Sequence, residues 1–473
     1  MAERRAWLLP AVLGVVAITA LRVILLVFDK TDLFVDEAQY WLWGQELAFG
    51  YYSKPPMIGW VIRAFTELGS DAPFWIRLPG PLFHGATALI LGHIAARLFD
   101  GRTAVTVALA FVTLPMVAVG SLLISTDTIM FPFLAAALAG YLRVLDRRQI
   151  PGALFTGIAL GLAFLSKYAA IYYVICAILA AFVLPGARPG RRAAALIVAA
   201  FLITISPNIA WNLANGLTTV QHTLDNADWV RDPGTRAGLN LAGLAEFLAA
   251  QFVVAGPILF AALLLAALRR RTPLLILFAL PILAIVCVQA LLAQAYANWA
   301  AAAYLAGTVA AVAFLMNRHR GWLIASFAIN GALCVLFPVA ATAPGLLTRD
   351  GQPLLNRYLG RTQMSLLILQ AAVDENLQTI VATDRDILAD LFYTGRDSSV
   401  TVRALPPRAR APHHYAQRFP YQPTTAPILI VVRAGDEVPC DDARRLAEIA
   451  PDTGAYRNHP QTLYRAAGTC LSR

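Results

Sequence analysis

The chain has 473 residues, of which 58% are hydrophobic and 14% charged, and its mean hydropathy is +0.62. Soluble proteins average about 25% charged residues, so this composition excludes an ordinary soluble protein and indicates a polytopic α-helical membrane protein. The net charge of +10 does not indicate nucleic-acid binding, because membrane proteins concentrate excess arginine in cytoplasmic loops.

The apolar segments predict eleven membrane spans, since a span needs about 20 apolar residues to cross about 30 Å of hydrocarbon. They lie at 7–28, 75–96, 103–119, 128–142, 151–165, 169–184, 193–211, 243–267, 273–292, 298–316 and 321–343. The first segment lacks a convincing cleavage site, so we interpret it as an uncleaved span. Residues 1–343 are therefore expected to form a membrane domain.

The basic residues between these spans predict the orientation. Segments on one side carry clustered arginines: Arg4 and Arg5; Arg97 and Arg102; Arg143, Arg147 and Arg148; Arg188, Arg191 and Arg192; Arg269, Arg270 and Arg271; Arg318 and Arg320. The other side carries fewer: Lys30, Lys54, Arg63, Lys167, Arg231 and Arg236. By the positive-inside rule the N-terminus is cytoplasmic. An odd number of spans then places the C-terminus on the outer side of the membrane.

Two outer loops are long enough to build a site. In the loop 29–74, the apolar pattern predicts two amphipathic surface helices separated by Tyr51-Tyr52-Ser53-Lys54-Pro55-Pro56. Pro56 is suited to open the second helix. The loop 212–242 is polar, aromatic and rich in turn formers, and we expect it to contribute to binding.

Residues 344–473 have the composition of a soluble domain, expected on the outer side of the membrane. The pattern predicts helices at 366–373, 387–392 and 442–449 and strands at 379–383, 400–405 and 427–432. This alternation indicates a small α/β domain, which is a second candidate for binding. Cys440 and Cys470 either pair in the oxidising compartment or stay free.

Charged residues cluster on the expected outer side of the membrane. Asp36 and Glu37 follow the first span, Lys54 lies in the loop break, Asp127 begins a span and Lys167 follows one. An ionisable residue at a membrane boundary is a functional-site hypothesis by default. Because the arginine distribution alone placed these residues on one side, we interpret them as one candidate site.

The use of lysine points to an anionic substrate. Of the 38 basic residues, only Lys30, Lys54 and Lys167 are lysine, and two of these belong to the outer cluster. A compact ammonium suits a phosphate oxygen in a tight site better than a broad guanidinium does. The sequence therefore favours Lys54 and Lys167 as phosphate ligands.

Each of these residues also has a structural interpretation. Asp36 and Glu37 fit a solvated loop, Asp127 fits a helix N-cap, Lys167 fits a snorkelling side chain, and Lys54 fits turn chemistry. Further residues fit either substrate binding or the surface, as members of an interfacial aromatic belt or as a loop histidine: Tyr40, Tyr52, Tyr168 and His222. No spacing of His, Cys, Asp or Glu suggests a metal site.

These residues, in this order, resemble the GT-C membrane glycosyltransferases. The resemblance is to the family 39/83 type, which includes protein O-mannosyltransferases and the lipid A aminoarabinose transferase. It rests on Asp36-Glu37, Tyr52-Ser53-Lys54-Pro55-Pro56, Asp127 and Lys167, together with Trp211-Asn212-x-x-Asn215-Gly216 and Asn298-Trp299-Ala300-Ala301. It covers about residues 30–310. Ser53 stands where the aminoarabinose group has Glu, so the aminoarabinose specificity is not carried over.

The resemblance implies an inverting transfer of a sugar from a polyprenyl-phosphate donor to a hydroxyl of a cell-envelope glycolipid or glycan. Asp36 would be the general base, with Glu37 and Asp127 orienting it or the acceptor. Lys54 and Lys167 would stabilise the phosphate leaving group. The base and the phosphate ligands would then lie on facing walls of one outer cavity. A divalent metal is left open.

Two alternatives stay open at this point. An enzyme of the same fold would glycosylate protein Ser or Thr. A transporter or flippase would use the same lysines to bind a lipid-linked anion, although such proteins typically show two related halves, which this sequence does not.

Overall fold

The computed structural model describes residues 6–147, 150–226, 239–349 and 351–471. The chain forms two compact units. The membrane unit comprises Met1–Val27, Ala48–Phe65 and Arg77–Val339, and the C-terminal unit comprises Phe28–Leu47, Thr66–Ile76 and Ala340–Arg473. Predictions at Arg4, Arg5 and Arg148, and in part 227–238 of the second outer loop, lie outside the described residues.

Helices dominate the first three quarters of the chain. In chain order they are α1 (Leu8–Val27), α2 (Val35–Gln45), α3 (Met57–Leu68), α4 (Pro73–Arg77), α5 (Pro79–Leu98), α6 (Gly101–Val112), α7 (Pro115–Val119), α8 (Thr126–Arg147), α9 (Ile150–Ser166), α10 (Ile171–Val183), α11 (Arg191–Ala214), α12 (Thr218–Asn226), α13 (Leu241–Val254), α14 (Pro257–Leu268), α15 (Pro273–Leu277), α16 (Leu280–Leu292), α17 (Ala303–Leu315) and α18 (Arg320–Thr342). Each segment predicted as a span contains one helix or two consecutive helices, so the prediction of a polytopic helical protein is confirmed.

Among the described residues, five helices are long and apolar enough to cross a membrane, if α15 and α16 are taken together as one helix: Leu8–Val27, Thr126–Asp146, Arg191–Ala214, Pro273–Leu292 and Arg320–Thr342. Four apolar helices are shorter: Gly101–Val112, Ile150–Ser166, Tyr168–Val183 and Ala303–Leu315. Large apolar side chains on the long helices face outward, including Leu13 and Ile24 on α1 and Ile203 on α11. Such a surface matches a hydrocarbon environment and not water.

The segment 243–267, predicted as one span, is two helices bent by 111°. Gly256 lies at the bend with φ +83°, a backbone conformation that side-chain-bearing residues rarely adopt. A Cβ there would lie 2.1 Å from the Asn330 side-chain oxygen. Pro257 then opens α14. The segment is apolar on both sides of the bend, so its hydropathy does not reveal the bend.

Helix α17 lies in the core of the membrane unit. All thirteen of its residues are buried, as expected for a helix that is hydrophobic on every face. Its small residues, which include Ala306, Gly307 and Ala310, allow neighbouring helices to approach closely. The 3₁₀ turn Ala297–Ala300, which carries Asn298, precedes this helix directly.

Both helices predicted in the first outer loop are present, as α2 and α3. The Pro56 carbonyl accepts the hydrogen bond of the Trp60 amide at 3.3 Å, so Pro56 opens α3 as the sequence suggests. Helix α2 belongs to the C-terminal unit, where the Trp41 indole donates to Asp71 Oδ1 at 2.7 Å and packs edge-on against Tyr393.

The C-terminal segment contains a mixed sheet flanked by helices. Its elements are β1 (Thr348–Arg349), β2 (Gln352–Pro353), α19 (Arg361–Asp374), β3 (Thr379–Ala382), α20 (Arg385–Thr394), β4 (Thr401–Ala404), α21 (His414–Arg418), β5 (Ile428–Arg433), β6 (Arg444–Ile449) and β7 (Gln461–Ala466). The five-stranded sheet has the order β4-β3-β5-β7-β6. Strand β3 runs parallel to β4 and β5, whereas β7 runs antiparallel to β5 and β6.

The prediction of a helix at 442–449 is wrong, because residues Arg444–Ile449 form strand β6. This stretch consists of good helix formers, but it pairs along its length with β7, a strand that the sequence reading missed. Tertiary pairing overrides such local propensities. A disulfide joins Cys440, just before β6, to Cys470, just after β7. It therefore links the segments that flank the β6–β7 edge of the sheet covalently.

Replacing Cys440 and Cys470 together by serine is expected to destabilise the C-terminal unit by roughly 2–4 kcal/mol, because the bridge restricts the unfolded chain. Thermal unfolding of the detergent-purified protein measures this. The matched control is Cys287→Ser, which changes a free cysteine. A non-reducing peptide map without the Cys440–Cys470 linkage would contradict the assignment.

Candidate active site

Helix α2 carries the Asp36-Glu37 pair, and the two carboxylates have different environments. Glu37 Oε2 accepts a hydrogen bond from the Phe34 amide at 2.9 Å, and Glu37 is buried at 1% exposure. It therefore caps the N-terminus of the helix, where a negative charge is also favoured by the helix dipole. The Asp36 side chain, in contrast, is 46% exposed. Of these two acids, therefore, only Asp36 presents its carboxylate to solvent.

An arginine of the C-terminal segment holds Asp36. Arg385, the first residue of α20, donates from Nη2 to Asp36 Oδ1 at 2.6 Å and from Nε to Gln39 Oε1 at 3.1 Å. Asp36 and Gln39 are three residues apart and so lie on one face of α2. Burial lowers the pKa of the Arg385 guanidinium, but Asp36, Tyr415 and Asp386 together outweigh burial, so the pKa is raised. Sequence reasoning did not single out Arg385.

The loop that carries Lys54 forms contacts with α11 and α12 within the membrane unit. The Lys54 carbonyl accepts from the Tyr51 amide at 3.1 Å, which closes a tight turn. The Tyr51 carbonyl accepts from the buried Thr219 hydroxyl at 2.6 Å. The Tyr52 ring lies edge-on to His222, with the centroids 5.1 Å apart. These contacts give the half-buried Lys54 a defined backbone.

Asp127 and Lys167 form an ion pair in the membrane unit. Lys167 Nζ donates to Asp127 Oδ1 at 2.8 Å and to Oδ2 at 2.7 Å, and the two side chains are only 19% and 12% exposed. Asn298 Nδ2 adds a third donor to Asp127 Oδ2 at 3.2 Å. Neither structural alternative holds, because Ser125 Oγ caps α8 through the Thr128 amide and Lys167 turns to Asp127.

Tyr168 links this pair to the Lys54 loop. Its hydroxyl donates to Asn208 Oδ1 at 2.9 Å and accepts from Asn212 Nδ2 at 3.2 Å. Asn208 Nδ2 in turn donates to the Phe49 carbonyl at 2.6 Å. A continuous set of hydrogen bonds therefore runs from the residue next to Lys167 to the segment that leads into Lys54. Asn208 was not predicted, although the neighbouring Trp211-Asn212 segment was noted.

The predicted residues thus fall into two groups, each within one unit. Asp36, Glu37 and Tyr40 lie on α2 in the C-terminal unit, where Tyr40 is buried against Trp43. The membrane unit holds the remaining six: Tyr52, Lys54, Asp127, Lys167, Tyr168 and His222. Within the described ranges, no group of three or more His, Cys, Asp or Glu residues is placed to hold a metal ion, and the divalent metal stays an open prediction.

Three comparisons with known proteins bear on this site. Residues 53–211 match the family model of dolichyl-phosphate-mannose-protein mannosyltransferases. The chain is 41% identical to the lipid A galacturonosyltransferase RgtD of Rhizobium johnstonii, over 97% of this chain and 98% of that protein. It is 29% identical to the lipopolysaccharide core galacturonosyltransferase RgtA of the same organism, over 41% of this chain and 40% of that protein.

Solved structures show the same fold. ArnT from Cupriavidus metallidurans in the apo state is similar with a TM-score of 0.63 and 14% identity, covering 97% of this chain and 98% of ArnT. The structure of that ArnT bound to undecaprenyl phosphate is similar with a TM-score of 0.63 and 15% identity, covering 98% of both chains. At such identities the likeness establishes the fold alone.

The apolar helices and the bacterial relatives identify an integral protein of the inner membrane. The predicted enzymatic activity is confirmed over the transporter alternative, because the full-length relative is a glycosyltransferase. On the strength of that relative, the family match and the shared fold, the chain belongs to the GT-C membrane glycosyltransferases.

Proposed function

We propose that this enzyme transfers a galacturonosyl group from a polyprenyl-phosphate donor to a hydroxyl of lipid A. The observation that carries the proposal is the 41% identity, over nearly the whole chain, to a lipid A galacturonosyltransferase. The undecaprenyl phosphate complex of ArnT, which has the same fold, supports a polyprenyl-phosphate donor.

The reaction takes place on the periplasmic face. The clustered arginines of the inner connections support a cytoplasmic N-terminus. The disulfide between Cys440 and Cys470 supports an oxidising compartment for the C-terminal segment. A polyprenyl tail would lie in the bilayer while its sugar reaches the aqueous surface, where lipid A also presents its hydroxyls.

Asp36 acts as the general base. Its carboxylate is half-exposed and its helix is capped by Glu37, so Glu37 has a positioning role. Asp36 accepts the proton of the acceptor hydroxyl, the hydroxyl oxygen attacks the anomeric carbon, and the bond to the phosphate oxygen breaks on the opposite face. One displacement inverts the anomeric configuration.

Lys54 stabilises the leaving phosphate, which gains negative charge as the sugar departs. Lys167 has a lesser share in that task, because two of its three N–H groups already meet Asp127. We assign two roles to the Lys167–Asp127 pair. It orients the substrate, and it holds in place the point where α9 ends and the turn Tyr168–Ala170 begins. Tyr40, Tyr52, Tyr168 and His222 are assigned to substrate contacts.

The direct test is incubation of the purified protein with polyprenyl-phosphate galacturonic acid and lipid A, followed by mass spectrometry. Lipid A is expected to gain one uronosyl unit. Because residues 53–211 match a protein mannosyltransferase family model, a Ser/Thr-containing acceptor peptide is the second arm. Modification of the peptide and not of lipid A would replace this proposal with protein O-glycosylation.

Asp36→Asn is expected to lower kcat by roughly 10²- to 10⁴-fold, because the amide cannot accept the acceptor proton. Turnover is measured with both substrates saturating, and the melting temperature checks folding. The control is Glu46→Gln, which neutralises another carboxylate of the same segment, paired with Arg418. Turnover of Asp36→Asn at the wild-type rate would remove Asp36 from the mechanism.

Lys54→Ala is expected to weaken donor use about 10- to 100-fold in kcat/KM, since one charge-assisted contact to phosphate is lost. Lys30→Ala is the control, because Lys30 is the third lysine and is exposed. Donor and acceptor are varied separately. If only the dependence on acceptor concentration changed, the assignment of Lys54 to the phosphate would be wrong.

The Asp127–Lys167 pair is tested by stability. Asp127→Asn and Lys167→Met are each expected to destabilise by roughly 3–5 kcal/mol, because each leaves one charge unpaired among apolar helices. The double variant should cost less than the sum. The exposed pair Arg97–Asp146 is the control, where Asp146→Asn should cost under about 1 kcal/mol. Additive losses in the double variant would show that the two side chains are not coupled.

A further inference from the structure

The Arg385 guanidinium has hydrogen-bonding capacity that the protein does not use. Nε and Nη2 face α2 and donate to Gln39 and Asp36. Nη1, which carries two further N–H groups, donates to no acceptor in the described part of the chain. The side chain is 37% exposed, so this edge of the guanidinium is open to a ligand.

Asp36 has a matching open oxygen. Oδ1 accepts from Arg385, whereas Oδ2 accepts no hydrogen bond from any residue that the structure describes. With the Asp36 side chain 46% exposed, a carboxylate oxygen and a guanidinium edge are both accessible at one end of α2. The first suits a hydroxyl proton, and the second suits an anion.

The acids on either side of Arg385 form their ion pairs with other arginines. Asp384, which precedes Arg385, lies 3.9 Å from Arg433. Asp386, which follows it, lies 3.8 Å from Arg361. Each acid beside Arg385 therefore has another arginine in reach. Nη1 stays available for an oxygen that the substrate brings.

We propose that Arg385 determines donor specificity by binding the carboxylate of the transferred uronosyl group. This inference rests on the proposed galacturonosyl transfer. The uronosyl carboxylate is on the same ring as the anomeric carbon, so a residue that holds the base lies within reach of it. A planar guanidinium matches a carboxylate in charge and geometry, whereas a neutral sugar offers only a hydroxymethyl group at that position.

The test compares two donors that differ only at this group, polyprenyl-phosphate galacturonic acid and polyprenyl-phosphate galactose, with lipid A as acceptor. The wild-type enzyme is expected to favour the uronosyl donor in kcat/KM. Arg385→Gln should lower kcat/KM for the uronosyl donor roughly 10- to 100-fold more than for the galactosyl donor. Arg385→Lys should keep part of the preference, because it retains the charge without the fork.

Arg418→Gln is the matched control. Like Arg385, Arg418 lies in the C-terminal part of the chain and forms an ion pair with a carboxylate of the segment 28–47, in this case Glu46. This variant should leave the donor ratio unchanged. The ratio of kcat/KM for the two donors distinguishes a specificity role from a positioning role. If Arg385 only aligned Asp36, its loss would slow transfer from both donors alike.

Equal losses for both donors in Arg385→Gln would overturn the inference and leave Arg385 as a positioning residue for Asp36. A loss that disappears with dephosphorylated lipid A would overturn it as well, because the anion would then belong to the acceptor. Absence of transfer by the wild-type enzyme from either donor is a different result, which would remove the proposed function itself.

Discussion

A carboxylate among apolar helices costs several kcal/mol unless a cation and hydrogen-bond donors lie beside it, and Asp127 has both. Lys167 approaches both of its oxygens and Asn298 approaches one. These three residues come from the start of α8, the end of α9 and the turn before α17. The requirement to neutralise one buried acid therefore fixes three helix ends in the membrane unit relative to one another.

Polar side-chain contacts also join distant segments of the C-terminal unit. The segment after α1 folds with the C-terminal residues, and Arg385 from α20 pairs with Asp36 on α2. Asp32, just before α2, accepts hydrogen bonds from the Arg361 amide and the Thr362 hydroxyl at the start of α19. Helix α2 is thus held at its beginning by α19 and along its face by α20. The proposed base consequently depends on residues more than 300 positions away in the chain.

The sequence predicted the features that follow from composition and local pattern. Hydropathy located each of the eleven apolar segments, and the Tyr-Ser-Lys-Pro-Pro break separated α2 from α3. Hydropathy could not predict the bend at Gly256, where the space that a side chain would need is occupied by the distant residue Asn330. The sequence reading also misassigned 442–449, because pairing with β7 and the neighbouring disulfide outweigh the helix propensity of those residues.

The candidate site was predictable in part, for similar reasons. Lysine scarcity and the arginine distribution led to Lys54 and Lys167, and a pair of adjacent acids led to Asp36 and Glu37. The different environments of those two acids were not readable, since burial and capping depend on the fold. Arg385 gave no signal at all, because arginine is the usual basic residue throughout this chain and nothing in its local sequence relates it to Asp36.

The central claim is that Asp36 activates an acceptor hydroxyl for a single displacement at the anomeric carbon. The most direct measurement is the anomeric configuration of the transferred sugar, determined by NMR for the donor and for the glycosylated lipid A. We expect the product to have the configuration opposite to that of the donor. A product with the donor's configuration would require a covalent or double-displacement route and would contradict this claim.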